Sequence, residues 1–463
     1  VNLYPEFDET GLAKEKSIGS LIGTPGLSSP LVTLATSPVR GHFVASNGTF
    51  YVVSGNTLYT VSSSWVATSV GTLNTAVGPV SMADNGVSLM LVDGVNAWYS
   101  TLGSGSMTQV TSANYLGASN QVVYQDGVFI FLVPNSNEFF VSNQLDVTFS
   151  GYFDHKASQP DNLIGIFSDH RNLWLFGAKT TEVWFDAGNP PPSTPFSLIQ
   201  GGFIETGCAS PFSIKRIDNK IFFVGQDDSH GIGTVFMIQG FQPARISTHA
   251  IELAIQSYGD ISGTTAWNYQ DGGHNFYCLN FKNSAGVSQG NTTWCYDLAT
   301  GLWHERVFLS NGAFQRSLIE THSYVFNTHV VGDYSSGNLY QLSSSIYSDN
   351  GAYIPRERTF PHMNADMKRM TCYSFQLDLE PGTGLDGSGQ GTNPQAMLQF
   401  SDDGGHSWSN EKWTSVGAIG QTKFRAIWRR LGRSRDKIFK IRITDPVKTV
   451  WIGATLNEGV GYS

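Results

Sequence analysis

The sequence predicts an all-β chain: an irregular β-propeller of six or seven blades followed by a C-terminal β-sandwich platform. Three observations lead there. A hairpin phrase returns along the chain at a step of roughly 40 to 50 residues, the range of a propeller blade. Helical periodicity is scarce. Beyond residue 355 the repeat stops, and short segments alternate strictly between apolar and polar residues.

Residues 1–35 precede the repeat. They are turn-rich, as in Gly23-Thr24-Pro25-Gly26-Leu27. A short irregular segment cannot bury itself, so it is expected to act as an arm docked on the platform. The propeller is expected over 36–350. Its phrase is first seen as Gly48-Thr49-Phe50-Tyr51-Val52-Val53, a Ser54-Gly55-Asn56-Thr57 turn, and Leu58-Tyr59-Thr60-Val61. Two β-branched and aromatic runs around a Gly/Asn turn are the strongest local hairpin signal. Variants follow at 86–100, 126–142, 169–186, 218–238, 271–298 and 324–342. The run Asn189-Pro190-Pro191-Pro192-Ser193 reads as a rigid loop, because proline fixes φ and removes a donor. The clearest helix signal is His-Ala-Ile-Glu-Leu-Ala-Ile-Gln at 249–256, with Ser247 and Thr248 as candidate caps. The platform is expected over 351–463. In Phe375-Gln376-Leu377-Asp378-Leu379 the apolar residues recur with period two; in the tail Phe439, Ile441 and Ile443 share one face, and Lys440 and Arg442 the other.

The bulk numbers suit sheets and tight turns. Of 463 residues 50 are Gly, and only 14% are charged, against about 25% in ordinary domains. Low charge also suits a chain that buries surface against partners, since interface cores are depleted of charge. The net charge of −9 argues against general polyanion binding. No apolar run is long enough for a membrane span, and no basic-then-apolar leader opens the chain, so neither stable membrane insertion nor a secretory signal is expected. The four cysteines are Cys208, Cys278, Cys295 and Cys372. Cys278 and Cys295 lie on two strands of one expected hairpin and could face each other; buried reduced thiols are the favoured reading. No C-x-x-C motif supports a zinc ribbon.

The sharpest local motif is Ser401-Asp402-Asp403-Gly404-Gly405-His406-Ser407-Trp408, which matches the Asp-box S-x-D-x-G-x-[ST]-W. Asp403 can cap backbone N–H groups of its own turn. Gly405 permits positive φ. Ser401 and Ser407 flank the loop, and Trp408 is expected to return into the core and lock the hairpin. This motif is a structural staple rather than an active site. A glycosidase needs two carboxylates across a sugar pocket. The acid pair Asp227 and Asp228 before His230 reads as a solvated loop. No spacing points to a metal, a cofactor or a catalytic constellation.

One charge feature stands out. From Gln421 to Arg442 there are nine Lys/Arg and one acid, a local balance of +8, which leaves −17 for the remainder of the chain. Phe424, Trp428, Leu431 and Phe439 interleave the cations. Arg425, Arg429, Arg430, Arg433 and Arg435 are therefore candidates for an interface with another subunit or an adaptor, because the planar Arg fork favours bidentate pairing with carboxylates. The competing reading is contact with DNA phosphates.

Three segments together resemble one phage family. They are the opening Val1-Asn2-Leu3-Tyr4-Pro5-Glu6, the Gly23-Thr24-Pro25-Gly26-Leu27 arm, and the tail. The tail phrases run from Phe400 through Ser401-Asp402-Asp403-Gly404-Gly405 to Trp428-Arg429-Arg430-Leu431-Gly432-Arg433-Ser434-Arg435-Asp436 and Thr444-Asp445-Pro446-Val447. They resemble the packaged-DNA stabilisation proteins of short-tailed bacteriophages, the tail hub or nozzle. The resemblance implies a non-enzymatic virion protein of the tail, assembled in the host cytoplasm. It implies a hexameric ring below the portal and adaptor that closes the head, retains packaged DNA and forms its ejection channel. The implied partners are further copies of the chain, the head-to-tail connector, tail needle, fibre or spike proteins, and double-stranded DNA passing without sequence-specific contact. The alternative is a carbohydrate-binding or glycan-cleaving propeller of Asp-box type. It is weaker, because a single Asp-box lies outside the propeller and the arginines concentrate near the C-terminus.

Overall fold

A computed structural model describes residues 1–7, 19–35, 37–227, 231–282, 291–366 and 368–461. Asp228, His230 and the side chain of Asp227 lie outside the described residues. The chain forms two compact units, one of Pro30–Thr292 with Leu318–Gln341, the other of Val1–Ser29, Thr293–Ser317 and Leu342–Ser463.

The first unit is the propeller. Its blades are antiparallel meanders, beginning with Val39–Val44, Phe50–Ser54, Thr57–Val61 and Ala67–Thr72. Further blades open on Ser81–Asp84, Val122–Gln125, Leu163–Asp169, Lys215–Ile217, Thr265–Asp271 and Ile319–Val325. That makes seven, where the uneven repeat left six or seven open. Middle strands are buried on both faces. Phe50–Ser54 and Val128–Leu132 are buried throughout, which is why they read as continuous apolar runs rather than alternating ones. The core lies between blades: Tyr51, Val53 and Leu58 of the first pack with Leu89 and Leu91 of the second. The ring closes where Val39, Phe50 and Val52 meet Val325, Val330 and Leu339.

Closure uses a strand from the start of the chain. Val32–Thr33 pairs antiparallel with Leu339 and Asn338 of the last blade. The approach is close enough to require glycine: a Cβ on Gly337 would sit 1.9 Å from the Ala35 carbonyl oxygen. The expected helix forms at His249–Gln256, with Thr248 as the cap whose Oγ1 accepts from the Ile251 N–H. Pro190 to Ser193 form an exposed loop.

The second unit is a β-sandwich. One sheet runs in the order Leu3–Phe7, Gly19–Gly23, Val450–Val460, Met370–Leu379, Ala426–Arg429, with Arg433–Ser434 also on Met370–Leu379. The other runs Arg356–Thr359, Asp436–Ile443, Gln395–Ser401, Lys412–Ser415. Their facing sides bury Phe375, Leu377, Leu398, Trp428, Phe439, Ile441 and Trp451. The two alternating segments thus turn the expected faces inward.

The arm is not one piece. Leu3–Phe7 and Gly19–Gly23 are sheet strands of the sandwich unit, whereas Val32–Thr33 belongs to a propeller blade. The stretch Thr293–Ser317 clusters with the sandwich unit, although the repeat reading assigns it to the propeller. The four cysteines are buried and unlinked, so Cys278 and Cys295 form no disulfide. Among the described residues no helix is long and apolar enough to cross a membrane.

Candidate functional site

The basic stretch folds as two short edge segments and the long strand Asp436–Ile443. The long strand uses its own cations inside the sandwich unit. Lys437 is fully buried, 2.5 Å from Asp402 and with its ammonium 3.9 Å from the Phe400 ring centroid. Lys440 lies over Trp408 at 4.2 Å. Arg442 pairs with Glu357 at 2.5 Å. Lys437 falls on the same side of the strand as Phe439, Ile441 and Ile443, and Lys437, Ile438 and Phe439 are all buried, so burial at this end does not alternate.

The five arginines singled out from the sequence are placed differently. Arg425, Arg429, Arg430, Arg433 and Arg435 are all exposed. Arg425 donates to the Gln376 side-chain oxygen at 2.5 Å. Arg429 ends the edge strand, opposite Ser374; Arg433 stands opposite Thr371. None of the five has an ion pair among the described residues. Arg430 is held in the left-handed region, φ +60, by a turn whose Arg430 and Leu431 N–H groups donate to the Tyr373 and Cys372 carbonyls. A side chain there costs energy that glycine would avoid. The fold therefore carries an exposed arginine at a position where glycine would be more stable.

On the side away from these arginines the same sheet is open. Val450–Val460 pairs along its length with Met370–Leu379, but on its other side, among the described residues, only Val450 and Trp451 are paired, to Ile22 and Leu21. Residues 453–455 and 457–458 are exposed, as are Ile452 and Val460. An unpaired, nearly uncharged edge is a template for another chain unless something covers it.

The Asp-box is a self-contained turn. Asp403 Oδ1 accepts from the Ser407 N–H at 2.9 Å and from the Ser401 hydroxyl at 2.7 Å, and Oδ2 from the Ser407 hydroxyl at 2.5 Å. Ser401 Oγ accepts from the Gly405 N–H at 2.8 Å, and Gly405 takes φ +95. The hydroxyl and amide of Ser407, then the hydroxyl of Ser401, hold the Asp403 carboxyl well below the usual carboxylate range. One expectation fails: Trp408 is only half-buried, and its ring carries Lys440 rather than filling the core. The box sits at a hairpin end beyond the sandwich interior, so its tryptophan covers a lysine stem instead. Among the described residues no group of three His, Cys, Asp or Glu could hold a metal ion.

Sequence reasoning missed a buried polar cluster within the sandwich unit. The Asn2 amide donates to the Val307 and Pro355 carbonyls, both at 3.0 Å, and accepts from the Val307 N–H at 2.9 Å. Arg306 donates to the Pro25 carbonyl at 2.7 Å. Arg356 donates to the Asp445 carbonyl at 3.2 Å. Burial pushes Asp349 up to about 6 against the pull of Arg306 and Arg356, and burial lowers Arg356 to about 10. These residues are far apart in sequence and carry no local pattern.

Comparison with known proteins bears on this arrangement. The family model described as Bacteriophage P22 Gp10, beta-propeller, matches residues 1–347. The one described as Bacteriophage P22 Gp10, beta-sandwich, matches 355–458. No curated protein matches. Among solved structures, the extracellular domain of the one-component system BT4673 from B. thetaiotaomicron is 10% identical over 84% of this chain and 47% of that chain, with TM-score 0.45. This chain thus spans about half the length of that protein. The WD40 beta propeller domain of Doa1 is 14% identical over 69% of this chain and 96% of that one, with TM-score 0.42. Neither likeness bears on function. The family matches do, and they agree with the residues quoted from both ends of the sequence: this chain belongs to the bacteriophage P22 Gp10 family of phage structural proteins, with a β-propeller followed by a β-sandwich.

Proposed function

We propose that the chain is a tail hub or nozzle subunit, assembling as a hexameric ring below the portal and adaptor to close the head, retain packaged DNA and conduct it at ejection. The observation that carries this is the arginine edge. Five exposed guanidinium groups without a carboxylate partner among the described residues, one of them on a strained backbone, are arranged for a partner. Bidentate pairing with carboxylates of a neighbouring subunit or of the adaptor supplies what they lack. The opposite edge of the same sheet, along Val450–Val460, offers backbone pairing to a second neighbour.

The lumen of such a ring should not grip DNA, because every neutralised phosphate adds affinity that ejection must break. The balance of −17 outside the basic stretch suits an acidic or mixed lining. Replacing Arg429 and Arg430 with Ala tests the assignment. Interface arginines predict failed ring assembly on the adaptor, seen as loss of the hexamer mass and of tailed particles. Phosphate-contacting arginines predict normal rings and leaky heads, with a shallower salt dependence of DNA retention. The second outcome would move the cluster from interface to DNA contact.

A further inference from the structure

At the centre of the propeller the first strands of the blades leave a cavity of about 110 Å³. It is too small for an ordinary organic ligand, whose pockets start near 300 Å³. Its wall is polar and basic. It takes His42 from the first blade, Lys215 from the fifth, and Glu320 and His322 from the last.

The groups on this wall divide into engaged and unengaged. Arg40 is engaged: its guanidinium donates to the carbonyls of Gly55, Thr75, Val77 and Gly78. Glu320 is engaged too, 3.2 Å from the Lys282 ammonium and accepting from the Thr265 hydroxyl. His322 Nε2 meets His329 Nδ1 at 2.9 Å. Two groups are left over. The Lys215 ammonium has neither a carboxylate nor an acceptor among the described residues. His42 uses Nδ1 on the Ser323 hydroxyl at 2.6 Å, while its Nε2 is shut away from solvent with no partner. The Thr321 backbone also draws on this ring and raises its proton affinity; in the tautomer in which the Ser323 hydroxyl donates to Nδ1, the ring proton sits on Nε2.

Among the described residues, a half-buried ammonium with no carboxylate beside it and a buried imidazole nitrogen with no acceptor offer two contacts to an anion between them. We propose that this cavity binds one small oxyanion of the size and charge of inorganic phosphate, held by Lys215 and by His42 Nε2–H. The electrostatics agree with the geometry. Burial pushes His42 down to about 4 and His322 to about 3, and Lys215 adds to both shifts. Burial lowers Lys215 itself. His329 and, behind it, Asp271 complete the titratable surroundings. At neutral pH both rings are uncharged and Lys215 supplies the positive charge, so an anion beside it would raise the proton affinity of both rings.

The test is a calorimetric titration of the full chain with inorganic phosphate at pH 7 and fixed ionic strength, alongside thermal melts. The expected result is saturable one-site binding and a Tm that rises with phosphate. Lys215→Met should weaken binding by at least about tenfold, roughly one charge-assisted contact. Without phosphate the same variant should melt no lower than the wild type, since it removes an uncompensated cation. His42→Gln, which keeps a donor, should bind with intermediate affinity and serves as the second probe if Lys215→Met does not fold. Nitrogen chemical shifts of His42 and His322 should show both rings gaining proton affinity on phosphate addition. No saturable binding, binding undiminished in both variants, or equal protection by chloride would each overturn the site.

Discussion

Asp403 illustrates how a single residue can look catalytic and be structural. Its carboxylate is held by Ser401 and Ser407 within one turn. Because its folded pKa lies below the unfolded one, near 4, its contribution is complete above that pH and is lost as the pH falls through the folded value. Asp403→Asn should therefore speed amide exchange across 401–409 at neutral pH and remove its acid dependence. Unchanged exchange would refute the turn-cap role. Asn2 works the same way over a longer range. Asn2→Ala leaves two carbonyls and one N–H unpaired in a buried place, so it should lower stability by about 1–3 kcal/mol in urea unfolding. Asp349 has the opposite sign. Its folded pKa is raised to about 6, so its favourable contribution is complete below about pH 4 and is lost as pH rises through 6. That loss is on the order of 3 kcal/mol. Unfolding measured from pH 4 to 7.5 should show this slope in the wild type and not in Asp349→Asn. Ser401, Asp403 and Gly405 were legible because a turn cap is local chemistry. Asn2 and Asp349 were not: the partners of Asn2, Val307 and Pro355, lie 305 and 353 residues away, and Asp349 is set by Arg306 and Arg356 on either side of it with no turn motif to mark the group.

At the scale of elements, the sharpest test is the strand that closes the propeller. Val32–Thr33 can pair with the last blade only because Gly337 lets Ala35 approach. Gly337→Ala forces a contact of 1.9 Å against a backbone oxygen, and nothing flexible can yield there. The closing pair should open, with a stability loss of about 1–3 kcal/mol or more and rapid exchange at Leu31 and Leu34. A crystal structure of the variant with the pairing intact would contradict this. The hairpins of the propeller were legible, because alternating runs and Gly/Asn turns are local signals. The closing strand was not, because a two-residue ladder has no period. The alternating tail showed which side of its strand faces the core, and Lys437 lies on that side, but alternation does not say what neutralises a lysine buried there. That outcome depends on Asp402 arriving from another strand.

For the whole molecule, family membership and the self-contained turn around Asp403 lead to the same expectation. Purified protein should release no product from sialosides or bacterial polysaccharides, and any turnover abolished by Asp403→Asn would reverse the reading of the Asp-box. Native mass measurements with the adaptor present should show a sixfold species, and Arg429→Ala with Arg430→Ala should remove it. An interface has no period to read, which is why sequence reasoning reached the arginines by their density alone. Structure adds the specific feature: exposure without an ion pair among the described residues.

The sequence by itself determined the all-β class, the propeller-then-sandwich order, the helix at His249–Gln256 and the phage family, because hairpin turns, strand alternation and family phrases are written in neighbouring residues. Tertiary structure decided that the blades number seven and that the first 35 residues divide between the sandwich sheet and the closing blade. It also decided that Trp408 shelters Lys440 instead of entering the core, and that Lys215 and His42 share one cavity. Each of these depends on which distant strands meet, and that is fixed by the burial of whole faces rather than by any local pattern.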